Sequence, residues 1–111
     1  MQIYKILRAS EWADLQARGE TQGAPIDRAD GFIHFSTADQ VRETAARHFA
    51  RVDDLILATC DTDSLGPALK WEASRGGALF PHLYGPLRLG DVVAHCPLSL
   101  QGGQHVFPDA L

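Results

Sequence analysis

Three segments of this chain carry side chains suited to proton transfer or ligand recognition: DGFIHFST with His34, LKWEAS with Glu72, and FPHLYG with His82. In the first, a strand pleat sets Phe32, His34 and Ser36 on one face and Ile33, Phe35 and Thr37 on the other. An imidazole and a hydroxyl then emerge together at a strand end; the plainer reading of His34 is a histidine hydrogen-bonded in a half-buried strand. Glu72 is the carboxylate set inside a patterned strand beside a tryptophan, Trp71. An apolar neighbour raises a carboxyl's pKa and makes it a candidate acid, base or electrostatic stabiliser, the alternative being an exposed strand glutamate. Arg75 follows three residues later, placed to pair with Glu72 or to clamp an anionic ligand. A surface ion pair worth about 0 to 1 kcal/mol is its simpler role. Phe80, His82 and Tyr84 alternate, so an extended backbone projects a stacking ring, a titratable imidazole and a phenol to one side. Pro81 and Pro86 fix that path as a shaped loop, as a binding segment requires, although two aromatic rings also serve to plug a core.

Other chemistries find less support. The histidines at 34, 48, 82, 95 and 105 show no HxH or HxxxH pair and no Cys/His ligand spacing, so no metal centre is expected. Ser36 lacks a GxSxG elbow, and neither GxGxxG nor GxxxxGK[ST] occurs. Acyl transfer and Rossmann or Walker-type nucleotide sites fall away, and the cofactor, if there is one, is unknown. The helix start after Ser36 and Thr37 offers outward amides that suit phosphate, but Asp39 in that first turn opposes an anion.

The elements that must position these groups follow from patterning. Ile3, Tyr4, Ile6 and Leu7 form a short strand, and Ser10 offers an N-cap to a helix that Gly19 stops after Arg18. The stretches Gly19 to Asp30 and Asp61 to Pro67 are the long loop candidates. Phe32 to Phe35 predicts a strand, and Thr37 to Gln40 has capping-box spacing for a helix whose inner face carries Val41, Ala45, His48, Phe49 and Val52. Leu55 to Ala58 is an unbroken apolar run, as in a central strand covered on both faces. Leu69, Trp71 and Ala73 alternate with Lys70, Glu72 and Ser74, predicting a strand with one polar face. Val92 to Ala94 gives a last strand signal, and QGGQHVFPDAL reads as a ragged tail.

At 111 residues the chain is expected to make one domain over 1–111, with a core and a cleft rather than a large closed cavity. Ten basic against fourteen acidic residues give a net charge of −4, and the basic residues are scattered. Neither an extended nucleic acid nor a membrane is expected as a partner. No signal peptide or membrane-length apolar run is visible, so the cytoplasm is the expected location. Cys60 and Cys96, 36 residues apart, read as reduced, buried thiols.

IYKIL, DGFIHFSTADQV and LKWEASRGGALFPHLYGPL together resemble the small bacterial proteins of domain of unknown function family 952 along nearly the whole chain. The resemblance implies a compact relative of the ADP-ribosyltransferase fold: α+β, a split and mainly antiparallel sheet with two or three short helices and a cleft between its halves. By that resemblance His34 would hold a ribose and Glu72 would stabilise the transition state. The family lacks an assigned activity, and no Ser-Thr-Ser or Glu-x-Glu motif is present.

Two functions are therefore expected. In one, the protein is a small cleft enzyme for glycosyl or ribosyl transfer on a nucleotide-like small molecule, with His34 and Glu72 catalytic and Ser36, Thr37, Arg75, Phe80, His82 and Tyr84 binding the ligand. In the other it is a non-catalytic module that binds a metabolite or protein through FPHLYG, while His34 and Glu72 satisfy each other. Substrate, acceptor and oligomeric state are unknown at this level.

Overall fold

In chain order the elements are β1 (Gln2–Arg8), α1 (Ala9–Arg18), β2 (Glu20–Thr21), α2 (Pro25–Asp30), β3 (Ile33–His34), α3 (Val41–His48), β4 (Leu55–Asp61), α4 (Thr62–Leu65), β5 (Leu69–Ala73), β6 (Leu79–Leu83), β7 (Leu87–Arg88), β8 (Val92–Leu98), β9 (Leu100–Gln101) and β10 (Gln104–His105). This computed structural model describes the backbone of all 111 residues and every side chain except that of Arg75. The α+β expectation holds: every strand pairing is antiparallel.

Two three-stranded sheets, ordered β1-β4-β8 and β3-β6-β5, form the body. The apolar run of β4 lies at the centre of the first, as its composition requires. Along β1 the pleat sends Ile3 and Leu7 into one apolar cluster with Trp12, Leu15, Ile33, Phe35 and Leu83. Tyr4 and Ile6 go to a second with Val41, Ala45, Leu55, Leu57 and Leu98. The two sheets meet where Tyr4 and Ser36 exchange backbone hydrogen bonds, both at 2.8 Å. That junction brings the middle of β1 beside β3 and β6.

Several expectations need correction. Helix α1 begins at Ala9, one residue before the expected cap Ser10, because the Glu11 carboxylate accepts from Arg8 N at 2.8 Å and caps the turn itself. Gly19 does end it, at φ 81°, where a side chain would be strained. The supposed loop from Gly19 to Asp30 contains α2, started by Pro25 at its first position and by Asp27, whose Oδ2 accepts from Ala24 N at 2.8 Å. The loop from Asp61 to Pro67 contains α4, capped by Asp61 accepting from Asp63 N at 3.0 Å.

The shaped loop FPHLYG is, over Phe80 to Leu83, strand β6, the middle of its sheet. Pro81 joins through its carbonyl, which accepts from Phe35 N at 3.0 Å. The reciprocal bond is impossible without a proline N–H, and this ends β3 at His34 instead of continuing it through Phe35. Strand β5 lies where the alternation put it, but as an edge strand it leaves Trp71 39% exposed, so the expected apolar face is covered at Leu69 and open at Trp71. Helix α3 starts at Val41, after a turn in which Gln40 Oε1 accepts from Thr37 N at 3.0 Å; His48 is exposed, not part of its inner face.

The tail is ordered too. Strands β9 and β10 form a hairpin, His105 Nε2 donates to Val52 O at 2.7 Å, and Phe107 and Leu111 pack on the second cluster. Cys60 is buried and Cys96 half-buried, both free thiols. Burial pushes the Cys60 thiol up to about 12, with Asp91 adding to the effect. No helix among the described residues is long and apolar enough to cross a membrane.

Candidate functional site

The centre of the site is a carboxylate that the sequence reading passed over. Asp27 is 1% exposed, and both of its oxygens are occupied. Oδ2 accepts from Ala24 N at 2.8 Å and lies 2.9 Å from Lys5 Nζ. Oδ1 accepts from His34 N at 3.1 Å and lies 2.5 Å from His34 Nδ1. Burial opposes ionisation here. Hydrogen bonding from His34, the charge and hydrogen bond of Lys5 and the Ala24 amide outweigh it and hold the carboxyl well below the usual carboxylate range. Gly23 is part of this arrangement: at φ 101°, a Cβ there would lie 2.6 Å from both Asp27 Cβ and Oδ2. Lys5, also buried, donates to His34 O at 3.2 Å and so ties β1 to β3.

His34 is thus anchored at Nδ1, and its Nε2 lies 3.0 Å from Asp30 Oδ2 at the end of α2. Directly across the sheet its register partner is His82, with ring centroids 5.6 Å apart. His82 is 5% exposed, and Phe32 stacks on its ring at 4.0 Å. Its Nδ1 lies 2.8 Å from Glu72 Oε1, the same oxygen that accepts from Tyr84 OH at 2.7 Å.

The carboxyl of Glu72 is held below its ordinary value, first by the hydrogen bond with His82 and then by that from Tyr84. This reverses the expectation that Trp71 would raise it: Trp71 pairs with Pro81 on the opposite face of the sheet, while Glu72 faces two donors. The phenol of Tyr84 is correspondingly raised, because its proton is held by Glu72. With Glu72 ionised, His82 Nδ1 must donate, so the neutral ring carries its lone pair on Nε2. Among the described residues Nε2 has no hydrogen-bond partner.

A concave space of about 800 Å³ opens at the junction of the sheets, within the range of small-molecule sites. Its wall includes Tyr4, Lys5, Arg8, Asp27, Asp30, His34, Phe35, Ser36, Phe49, Phe80 and His82. Ser36 is 3% exposed, its Oγ 2.8 Å from Thr44 Oγ1.

Of the residues singled out from sequence, His34, Ser36, Phe80 and His82 line this space; Glu72, Thr37 and Tyr84 do not. Glu72 reaches the cleft only through His82, and Tyr84, 45% exposed, meets Glu72 outside the cleft lining. The expected mutual satisfaction of His34 and Glu72 is replaced by two separate groups, His34 with Asp27 and Asp30 and His82 with Glu72. The expected roles of Arg75 lie outside the described residues.

Asp27, Asp30 and Lys5 were missed. A lysine in the apolar strand run IYKIL was one signal, since a buried ammonium needs a partner. Pro25 followed two residues later by Asp27 was another, as a helix start. Among the described residues no group of three or more His, Cys, Asp or Glu is arranged to hold a metal ion.

No curated protein matches the chain. The crystal structure of protein CC0527 from Caulobacter crescentus superposes with a TM-score of 0.92 at 46% identity, covering 96% of this chain and 94% of that one. The solution NMR structure of CC0527 gives 0.84 at 46% identity, covering 94% and 90%. Residues 6–95 match the family described as protein of unknown function (DUF952), and the chain belongs to that family.

Proposed function

We propose that the cleft binds a nucleotide-like or ribosyl small molecule and that the protein is a glycosyl- or ribosyl-transfer enzyme on an ADP-ribosyltransferase-like split sheet. The observation that carries this reading is His82: nine-tenths buried, lining the cleft, oriented through Nδ1 by Glu72, and with an Nε2 that nothing in the described protein satisfies. An oriented imidazole with a free nitrogen is the form a general base takes, and a buried unsatisfied polar atom is costly unless a ligand completes it.

The aromatic wall of Phe35, Phe49 and Phe80 suits a planar base. Breaking a glycosidic bond sends the bonding pair to the leaving group and leaves positive charge on the sugar. The cleft carboxylate able to face that charge is Asp30, while Glu72 serves as the positioning group behind His82. His34, gripped by Asp27 through Nδ1, positions Asp30 through Nε2.

Thermal melting against ADP-ribose, a nicotinamide dinucleotide, nucleosides and nucleoside monophosphates tests this reading. A ligand at a hundredfold excess over its Kd adds about 2.7 kcal/mol, and His82→Gln should abolish the shift. A wild type that none of these ligands stabilises removes the reading. Binding without any product would favour the second one, a non-catalytic binding module, whose own support is the exposed pair Trp71 and Leu79, 39% and 56% open on β5 and β6.

A further inference from the structure

We infer, building on that reading of the cleft, that the ligand presents an uncharged, hydroxyl-bearing sugar to the cleft floor, and that a nucleoside rather than its phosphate ester is what the site recognises. The hydrogen-bonding capacity left over at the floor is acceptor capacity. In the neutral ring His82 Nε2 carries the lone pair, because Nδ1 is the nitrogen committed to Glu72. Asp30 has one oxygen near His34 Nε2 and a side chain 43% exposed, which leaves acceptor sites open to the cleft. The Thr44 hydroxyl donates to Gln40 O at 3.2 Å, and Ser36 Oγ lies 2.8 Å from Thr44 Oγ1 at the cleft wall.

The buried cation of the cleft, by contrast, is engaged. Lys5 is held by Asp27 and by His34 O. Arg8 lies over the Phe49 ring at 5.1 Å and 3.8 Å from Glu11. The described cleft lining carries three carboxylates, Glu11, Asp27 and Asp30, against two permanent cations, Lys5 and Arg8. A phosphate would bring more negative charge to a wall in which carboxylates outnumber permanent cations, whereas vicinal hydroxyls bring the protons its acceptors need.

Calorimetric titration with adenosine, 2′,3′-dideoxyadenosine, AMP, ribose and inorganic phosphate separates the cases. Adenosine should bind at least as tightly as AMP, the dideoxy compound roughly tenfold or more weakly because buried acceptors stay unpaired, and phosphate alone not at all. Asp30→Asn should weaken adenosine roughly tenfold while lowering the melting temperature of the free protein by no more than the loss of one half-exposed contact with His34. AMP binding tenfold tighter than adenosine, binding of phosphate alone, or equal affinity for the dideoxy compound overturns the inference while leaving a ligand cleft in place. Normal adenosine binding by Asp30→Asn overturns it too, and an absence of binding by every probe overturns both.

Discussion

Lys5 and Asp27 meet at 2.9 Å with side chains 7% and 1% exposed, joining β1 to the helix that precedes β3. A buried pair of this kind is costly to break from one side, because the orphaned charge stays out of water. Lys5→Met should therefore lower unfolding free energy by about 3 to 5 kcal/mol. Adding Asp27→Asn to it should recover part of that loss, since the remaining group is then neutral. Urea denaturation of the two single variants and the double variant measures this. Additive losses would show that the two groups do not interact as a pair.

Asp27 also makes stability depend on acid. Its carboxyl is held well below the unfolded value of about 3.9, so the stability it contributes is fully present above about pH 4. That stability is lost as pH falls toward the folded value. Glu72, lowered by His82 and Tyr84, acts in the same direction. Between about pH 4 and pH 2 the wild type should lose stability more steeply than Asp27→Asn, in which this linkage is absent. Denaturation midpoints at several acid pH values check it, and parallel curves would assign the acid sensitivity to other groups.

Regular patterning made the frame legible. The apolar run Leu55 to Ala58 is the central strand, and Gly19 ends α1 as read from its position after Arg18. The alternation of Phe80, His82 and Tyr84 put all three on one face, which the register of β6 with β5 explains through Glu72 opposite Phe80 and Lys70 opposite His82. What sequence could not supply was partnership at a distance. Asp27 sits in a stretch dominated by turn formers, and only folding carries it to Lys5, 22 positions earlier, and to His34. The exposure of Trp71 was hidden for a related reason: alternation predicts two faces but not whether another layer covers either one. The tail was misjudged because its two short strands, split by Gly102 and Gly103, carry little apolar signal before Phe107 and Leu111 reach the second cluster.

Glu72 is the point where one carboxylate oxygen serves two partners, His82 Nδ1 at 2.8 Å and Tyr84 OH at 2.7 Å. The phenol is raised chiefly because its proton is shared with that oxygen, so an ionised Glu72 is the cause to remove. In Glu72→Gln the side chain is neutral and its accepting oxygen competes for two donors, so the Tyr84 titration should move back toward about 10, the ordinary phenol value. The same change frees His82 from its fixed tautomer, which should weaken any ligand that relies on Nε2 as an acceptor. Tyrosine absorbance followed through alkaline pH, with Tyr84→Phe identifying the signal, measures the first effect. Calorimetry with adenosine measures the second. A Tyr84 titration that stays where it is in Glu72→Gln would mean that the phenol is raised by something other than this carboxylate, and His82 would then lose its assigned orienting partner.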